Sequence, residues 1–231
     1  MKQLIAMGGG GFSMEPENPL LDEYILNQVA ANKPKVCFIP TASGDAQSYI
    51  NRFYDFFKKQ NCEPSHLSLF KPETTNIRKF VLDQDIIYVG GGSTKNLLAL
   101  WREWNLDSIL HEAWENGVLL AGISAGAICW FEEGLTDSYG DSLQPLSCLG
   151  FVKGSCCPHY DGEEQRRPTY QKAIAAHELG SGIALDDGAA VHFIGEELEK
   201  AVCSRANAKA YRVRVQNKKV IEESLPTHYL Y

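Results

Sequence analysis

Val118-Leu119-Leu120-Ala121-Gly122-Ile123-Ser124-Ala125-Gly126-Ala127 joins an apolar run to a Gly-x-Ser-x-Gly pentapeptide, and a helix-like stretch, Ala127 to Phe131, follows directly. Strand, sharp turn, helix is the expected reading, and it has the form of a nucleophile elbow. Such a turn needs glycine two residues before and two residues after the serine, because side chains there would collide with the neighbouring strand and helix. The turn lifts the Ser124 hydroxyl clear of the sheet. It also sets the backbone N–H of Ala125 at a helix N-terminus, where unpaired amides and the helix dipole favour a developing negative charge. The plainer alternative is a Gly-rich strand-to-helix turn whose serine is incidental. The pentapeptide alone does not separate the two readings; its flanks carry the weight.

Outward from this stretch, apolar β-rich runs alternate with amphipathic segments up to about residue 135. Strands are expected at Gln3 to Met7, Lys35 to Ile39, His66 to Leu69, Ile86 to Val89 and Val118 to Ala121. Apolar residues three and four apart predict helices over Leu20 to Ala31, Ala46 to Gln60, Thr94 to Glu103 and Leu106 to Glu115. A βαβα order implies an α/β fold, a mostly parallel sheet with helices on both faces, whose ligands gather outside the carboxyl ends of the strands. Gly8 to Ser13, Pro40 to Gly44 and Gly90-Gly91-Gly92-Ser93-Thr94 follow strands at that edge and are expected to converge on one cleft with Ser124. From about Ser138 the pieces shorten: Cys148 to Val152, Gly182 to Leu185, Ala189 to Ile194, Ala201 to Ser204, Tyr211 to Val215 and Val220 to Ile221, with one helix over Pro168 to Leu179. Their polar and apolar alternation predicts an antiparallel C-terminal extension of the same sheet. No Pro/Ser-rich linker divides the halves, so residues 1–231 are read as one domain.

The 231 residues are 44% hydrophobic, enough for one sizeable core and too few for two comfortable ones. A net charge of −7 argues against nucleic acid or an anionic membrane as the main partner. The apolar N-terminal stretch is too short for a signal h-region and no run approaches a membrane span, so a cytoplasmic protein is expected. Seven scattered cysteines without a C-x-x-C pair read as reduced, mostly core thiols.

A serine hydroxyl needs a base within hydrogen-bond reach. Of six histidines, His159 stands apart, in Cys157-Pro158-His159-Tyr160-Asp161, where a strand gives way to a Pro-marked loop. The other reading is a loop histidine with only local bonds. The carboxylate that would orient it is open among Asp137, Asp141, Asp161, Asp186 and Asp187; a Ser-acid-His order favours Asp137 or Asp141, a Ser-His-acid order Asp187. Gly90-Gly91-Gly92 lets backbone N–H groups approach a carbonyl closely. No Walker-type loop, full G-x-G-x-x-G or H-E-x-x-H is present, so no cofactor and no metal are expected.

Gly90-Gly91-Gly92-Ser93-Thr94, Gly122-Ile123-Ser124-Ala125-Gly126-Ala127 and Pro158-His159-Tyr160 together resemble the S51 serine peptidases, the peptidase E or aspartyl dipeptidase family, to which cyanophycinase is related. The resemblance implies a fold like the class I glutamine amidotransferases. It implies a triad of Ser124, His159 and Asp187, with Asp186 close behind, and an oxyanion hole from Gly91 or Gly92 and Ala125. It also implies that an arginine after the Pro-His motif holds an acidic substrate side chain. Glu163 aligns at that position, with Arg166 and Arg167 three and four residues on. Ser93 and Thr94 are placed to contact the substrate, and equally suit helix capping. The expected activity is a serine exopeptidase acting on short peptides from the N-terminal side through an acyl-enzyme, Asp-X dipeptides included if either arginine reaches the pocket; if neither does, Glu163 would repel an acidic side chain and could prefer a basic or neutral one. An esterase or amidase on the same fold, or a catalytically silent peptide binder, are the alternatives. A homodimer follows from the resemblance alone, as no patch in the sequence carries it.

Overall fold

Continuous apolar runs suit strands covered on both faces, where alternation has no solvent side to serve. In the computed structural model, which describes residues 1–140 and 142–231, such runs form β1 (Gln3–Met7), β2 (Lys35–Ile39), β4 (Ile86–Val89) and β5 (Leu119–Ile123), while the polar segment Glu63–His66 forms β3. With them run α1 (Gly11–Met14), α2 (Leu20–Leu26), α3 (Gln47–Phe57), α4 (Ile77–Leu82), α5 (Thr94–Glu103), α6 (Leu106–Glu115) and α7 (Ala125–Ile128). The second half contributes β6 (Phe131–Thr136), β7 (Gln144–Ser147), β8 (Val152–Cys157), α8 (Arg166–Ala175), β9 (Gly182–Leu185) and β10 (Ala189–Ile194). It ends with β11 (Glu197–Cys203), β12 (Ala210–Gln216), β13 (Lys219–Ser224) and β14 (Thr227–Tyr229). Among the described residues no helix is long and apolar enough to cross a membrane.

The first sheet has the order β14-β11-β10-β1-β5-β4-β2-β3. Strands β1 to β5 pair in parallel, as the βαβα pattern requires, while β10 runs antiparallel to β1 and β11 antiparallel to β10. Only part of the late half extends this sheet, which corrects the expectation of one continued sheet. Strands β6 to β9, β12 and β13 form a second, mixed sheet, β13-β12-β9-β8-β6-β7, in which β6, β8 and β9 are parallel. The reason lies in β8 and β9, which are apolar on both sides. Cys156, Ile183 and Leu185 pack with Ala6 and Val191 of the first sheet, whereas Cys157 and Ala184 pack with Tyr170, Ala173 and Ile174 of α8. A second layer covers both faces; an edge extension would leave one bare.

Several boundaries also move. Strand β3 lies three residues before its expected start, and carries Pro64 because it is an edge strand that pairs only with β2. The expected strand Cys148 to Val152 is instead largely the connection into β8, its amides bonded to the Glu132, Cys129 and Phe131 carbonyls and Gly150 at φ +71°. Helix α7 starts and stops earlier than expected, since Phe131 already begins β6. Helix α8 starts at Arg166, leaving Pro168 in the first turn, where no amide bond is lost.

One face of the parallel sheet is closed by an aromatic cluster around Phe12, whose ring lies 5.2 to 6.3 Å from those of Phe38, Tyr49, Phe53, Phe56, Phe57 and Tyr88. Beside it the buried carboxylate of Asp22 accepts the Phe12 N–H at 2.7 Å and the Tyr88 hydroxyl at 3.1 Å. Burial pushes the Asp22 carboxyl up to about 7, against the lowering effect of these hydrogen bonds.

Two outcomes follow. Phe12→Ala lowers the unfolding free energy by about 3–5 kcal/mol, read from a denaturant midpoint at unchanged slope; a loss below about 1 kcal/mol would show that the cluster is not a packed core. Because the folded state holds the Asp22 proton more tightly than the unfolded chain, stability declines as pH rises from about 4 to about 7, by at most about 1.4 kcal/mol per pH unit from this group. Asp22→Asn should flatten that part of a stability-pH curve, and an unchanged curve would contradict the assignment.

Candidate active site

The carboxyl ends of β1, β4, β5 and β8 and the turn from β9 to β10 meet at one edge, and the backbone fixes how. Ser124 N–H donates to Met7 O at 3.1 Å, Gly8 N–H to Ala189 O at 2.9 Å, Gly188 N–H to Gly9 O at 3.0 Å and Tyr160 N–H to Leu185 O at 3.0 Å. Residues from both sheets are thereby tied in register around one opening.

Ser124 sits at the junction of β5 and α7 with φ +57° and ψ −115°, a conformation that an L-residue keeps only when its surroundings enforce it. They do: a Cβ on Gly122 would overlap the Gly126 carbonyl, and one on Gly126 would overlap the Val89 carbonyl. The Ser124 carbonyl accepts the N–H groups of Ala127 and Ile128, both at 2.9 Å, which starts the short helix. Cys129, one turn on, is fully buried and donates its thiol to Gly126 O.

His159 follows β8 at φ +52°. Its Nδ1–H donates to Asp187 Oδ1 at 2.6 Å, the tautomer being set by the carboxylate partner. Burial alone would raise the Asp187 carboxyl. The His159 hydrogen bond and charge, with Arg205 and Arg166 further off, outweigh it and hold the group below the usual carboxylate range. The Asp187 amide donates to Asp161 Oδ1 at 2.7 Å. Asp186 faces elsewhere: its Oδ2 accepts the Lys209 N–H at 3.0 Å and the Tyr211 hydroxyl at 3.4 Å, and burial pushes it up to about 6. Asp137 pairs with Arg166, and Asp141 lies outside the described residues.

A cavity of about 480 Å³ is lined by Ser124 and His159 together with Gly92, Ser93, Asn96, Asp137, Ser138, Glu163 and Arg166. The two side chains share the opening, with no direct hydrogen bond between them among the described residues. Other expected site residues divide. Gly92 lines the cavity at φ +136°, and a Cβ there would overlap the Ala42 carbonyl. The Gly91 amide instead donates to the Tyr49 hydroxyl at 3.3 Å, and Tyr49 also bonds Ser13 Oγ at 2.6 Å. Ser93 lines the cavity while its Oγ caps α5 through the Asn96 amide. Thr94 is fully buried, accepts the Thr136 hydroxyl and lies off the cavity lining. Arg167 also falls outside: it pairs with Glu222 and stacks on Tyr160 and Tyr211. Asn96 and Ser138 had no sequence signal, and Tyr49 read only as an apolar face of a helix. Among the described residues no group of three or more His, Cys, Asp or Glu side chains is arranged to hold a metal ion.

The model of Peptidase family S51 matches residues 4–201. A protein of Bacillus subtilis (strain 168) named uncharacterized peptidase YgaJ is 61% identical over 230 residues, with 100% of both chains covered. A crystal structure of a peptidase from an acI-B1 Actinobacterium has a TM-score of 0.70 at 18% identity, covering 97% of each chain. That of a peptidase E homologue from Listeria monocytogenes EGD-e has a TM-score of 0.59 at 21% identity, covering 98% of this chain and 100% of that one. The two structures speak to the fold; the family match and the Bacillus relative speak to the kind of enzyme. The chain therefore belongs to peptidase family S51 and is a serine-type peptidase.

Proposed function

We propose that the protein is an exopeptidase that cleaves short peptides from the N-terminal side through an acyl-enzyme on Ser124, with His159 as general base and Asp187 as the group that orients it. One observation carries this reading: Ser124 and His159 line the same cavity, and the far nitrogen of His159 is held by Asp187 at 2.6 Å. That leaves Nε2 as the acceptor for the serine proton. Ser124 Oγ attacks the scissile carbonyl as its proton passes to His159 Nε2. The tetrahedral oxyanion faces the N–H groups of Ala125 and Gly92. Collapse breaks the C–N bond, the leaving amine takes the proton from His159, and water activated by the same imidazole releases the acyl group. Each oxyanion donor contributes about 3–4 kcal/mol in comparable sites. Gly91, its amide turned to Tyr49, fits better as a support for the glycine loop than as a donor.

The strained turn at Ser124, with its two obligatory glycines, supports its reading as a nucleophile elbow. The polar cavity and the net charge of −7 suit short peptides in a cytoplasmic setting, with neither nucleic acid nor membrane as partner.

Ser124→Ala should abolish peptide turnover while the circular dichroism spectrum stays that of the wild type. A fluorophosphonate probe should label the wild type and fail on His159→Ala. Retained turnover in the first variant, or undiminished labelling in the second, would refute the roles given. Asp187→Asn should lower kcat by about 10⁴-fold, as expected when the imidazole loses its orienting anion. Asp186→Asn should leave kcat near the wild-type value, because among the described residues that carboxylate bonds Lys209 and Tyr211 and not His159. A reversal of the two effects would move the acid to Asp186.

A further inference from the structure

Arg166 stands at the start of α8 with its side chain only 3% exposed, and its guanidinium is already engaged. Nε donates to Glu163 Oε2 at 2.6 Å and Nη2 to Glu163 Oε1 at 3.3 Å, a two-pronged carboxylate pairing. Nη1 donates to the Leu135 carbonyl at 3.2 Å, and Nη2 lies 3.5 Å from Asp137 Oδ2. The two carboxylates are open where the cation is not: Glu163 is 45% exposed and Asp137 59%. All three groups line the cavity that holds Ser124 and His159. Two carboxylates against one guanidinium leave a net negative charge on the wall of the site.

An incoming carboxylate could reach Arg166 only by displacing Glu163 from its fork, and would gather three carboxylates around one guanidinium. An ammonium or guanidinium meets the exposed sides of both carboxylates, each oxygen of which can accept a second hydrogen bond, and displaces nothing. A short peptide has one cationic end and one anionic end, so this wall also orients it, drawing the N-terminus inward and repelling the C-terminal carboxylate. On the reading of this cavity as the peptidase site, we infer that Glu163 and Asp137 select a cationic group on the acyl side of the scissile bond and that Glu163 excludes an acidic side chain there. The cation is either the α-ammonium of the first residue or the side chain of a lysine or arginine at that position. Both share one chemistry, and substrates distinguish them.

The test compares Lys-Leu, Ala-Leu, Asp-Leu and N-acetyl-Ala-Leu by kcat/KM on the wild type, and by calorimetric binding to Ser124→Ala. Asp-Leu should trail Ala-Leu by about tenfold or more in both measurements, the effect of one unfavourable charge contact of about 1.4 kcal/mol. A further loss on acetylation assigns the α-ammonium; a gain of Lys-Leu over Ala-Leu assigns the side chain. Glu163→Gln, whose amide oxygen still accepts from Arg166, should narrow the gap between Ala-Leu and Asp-Leu by about tenfold, and Glu163→Asp should preserve it. Asp-Leu matching or exceeding Ala-Leu, a gap that Glu163→Gln leaves unchanged, or no binding of any peptide would each overturn the inference. Turnover that survives Ser124→Ala would instead defeat the assignment of the nucleophile, and the binding order would still judge the charge selection.

Discussion

The close contact of two backbones, Gly8-Gly9 against Leu185 to Asp187, is what the rest of the molecule is built around. A side chain on Gly8 would overlap the carbonyls of Leu185 and Asp186, and one on Gly9 would overlap the Asp187 carboxylate. Gly9 and Asp187 instead form a parallel bridge. The chain passes from the second sheet to the first at this point, between β9 and β10. The seam between the layers is therefore also the place where the carboxylate beside His159 is held. Gly162 completes the pocket, since a Cβ there would meet the same carboxylate from the loop after His159.

From that seam the hydrogen bonds run outward in both directions. On one side Met7 receives the Ser124 amide, so the strained serine turn is in register with the strand that carries the glycines. On the other, Leu185 receives the Tyr160 amide, which fixes the loop of His159. Neither sheet alone contains the site. The buried residues of β8 and β9 bear on the cavity as well as on stability, because their two-sided packing holds the layers together.

Much of this was legible in the chain. The parallel core was readable because β1, β2 and β4 are uninterrupted apolar runs, and the serine turn because glycines flank it at the two positions where no side chain fits. The second sheet was not, since short pieces such as Gly182–Leu185 look alike whether they extend a sheet or build another; what decides is which side chains lie across from them. Pro64 hid β3, because a proline speaks against a strand unless the strand is at an edge. The glycines at 8 to 11 match neither a Walker-type loop nor the full G-x-G-x-x-G, and the close approach that Gly8 and Gly9 allow emerges only with the Asp187 turn beside them. Arg166 shows the same limit on the chemical side. Its charge was visible, and its pairing with Glu163 and Asp137 was not, because that depends on where α8 begins relative to the end of β6.

The central claim is that the seam brings a serine from one sheet and an imidazole from the other to the same carbonyl carbon. A crystal structure of the protein treated with a short peptide aldehyde tests it most directly. The account predicts a hemiacetal on Ser124 Oγ, its oxygen within hydrogen-bond reach of the Ala125 and Gly92 amides and His159 Nε2 against the adduct, with the Asp187 contact intact. An adduct on any other residue, or one on Ser124 with His159 turned away from it, would contradict the account.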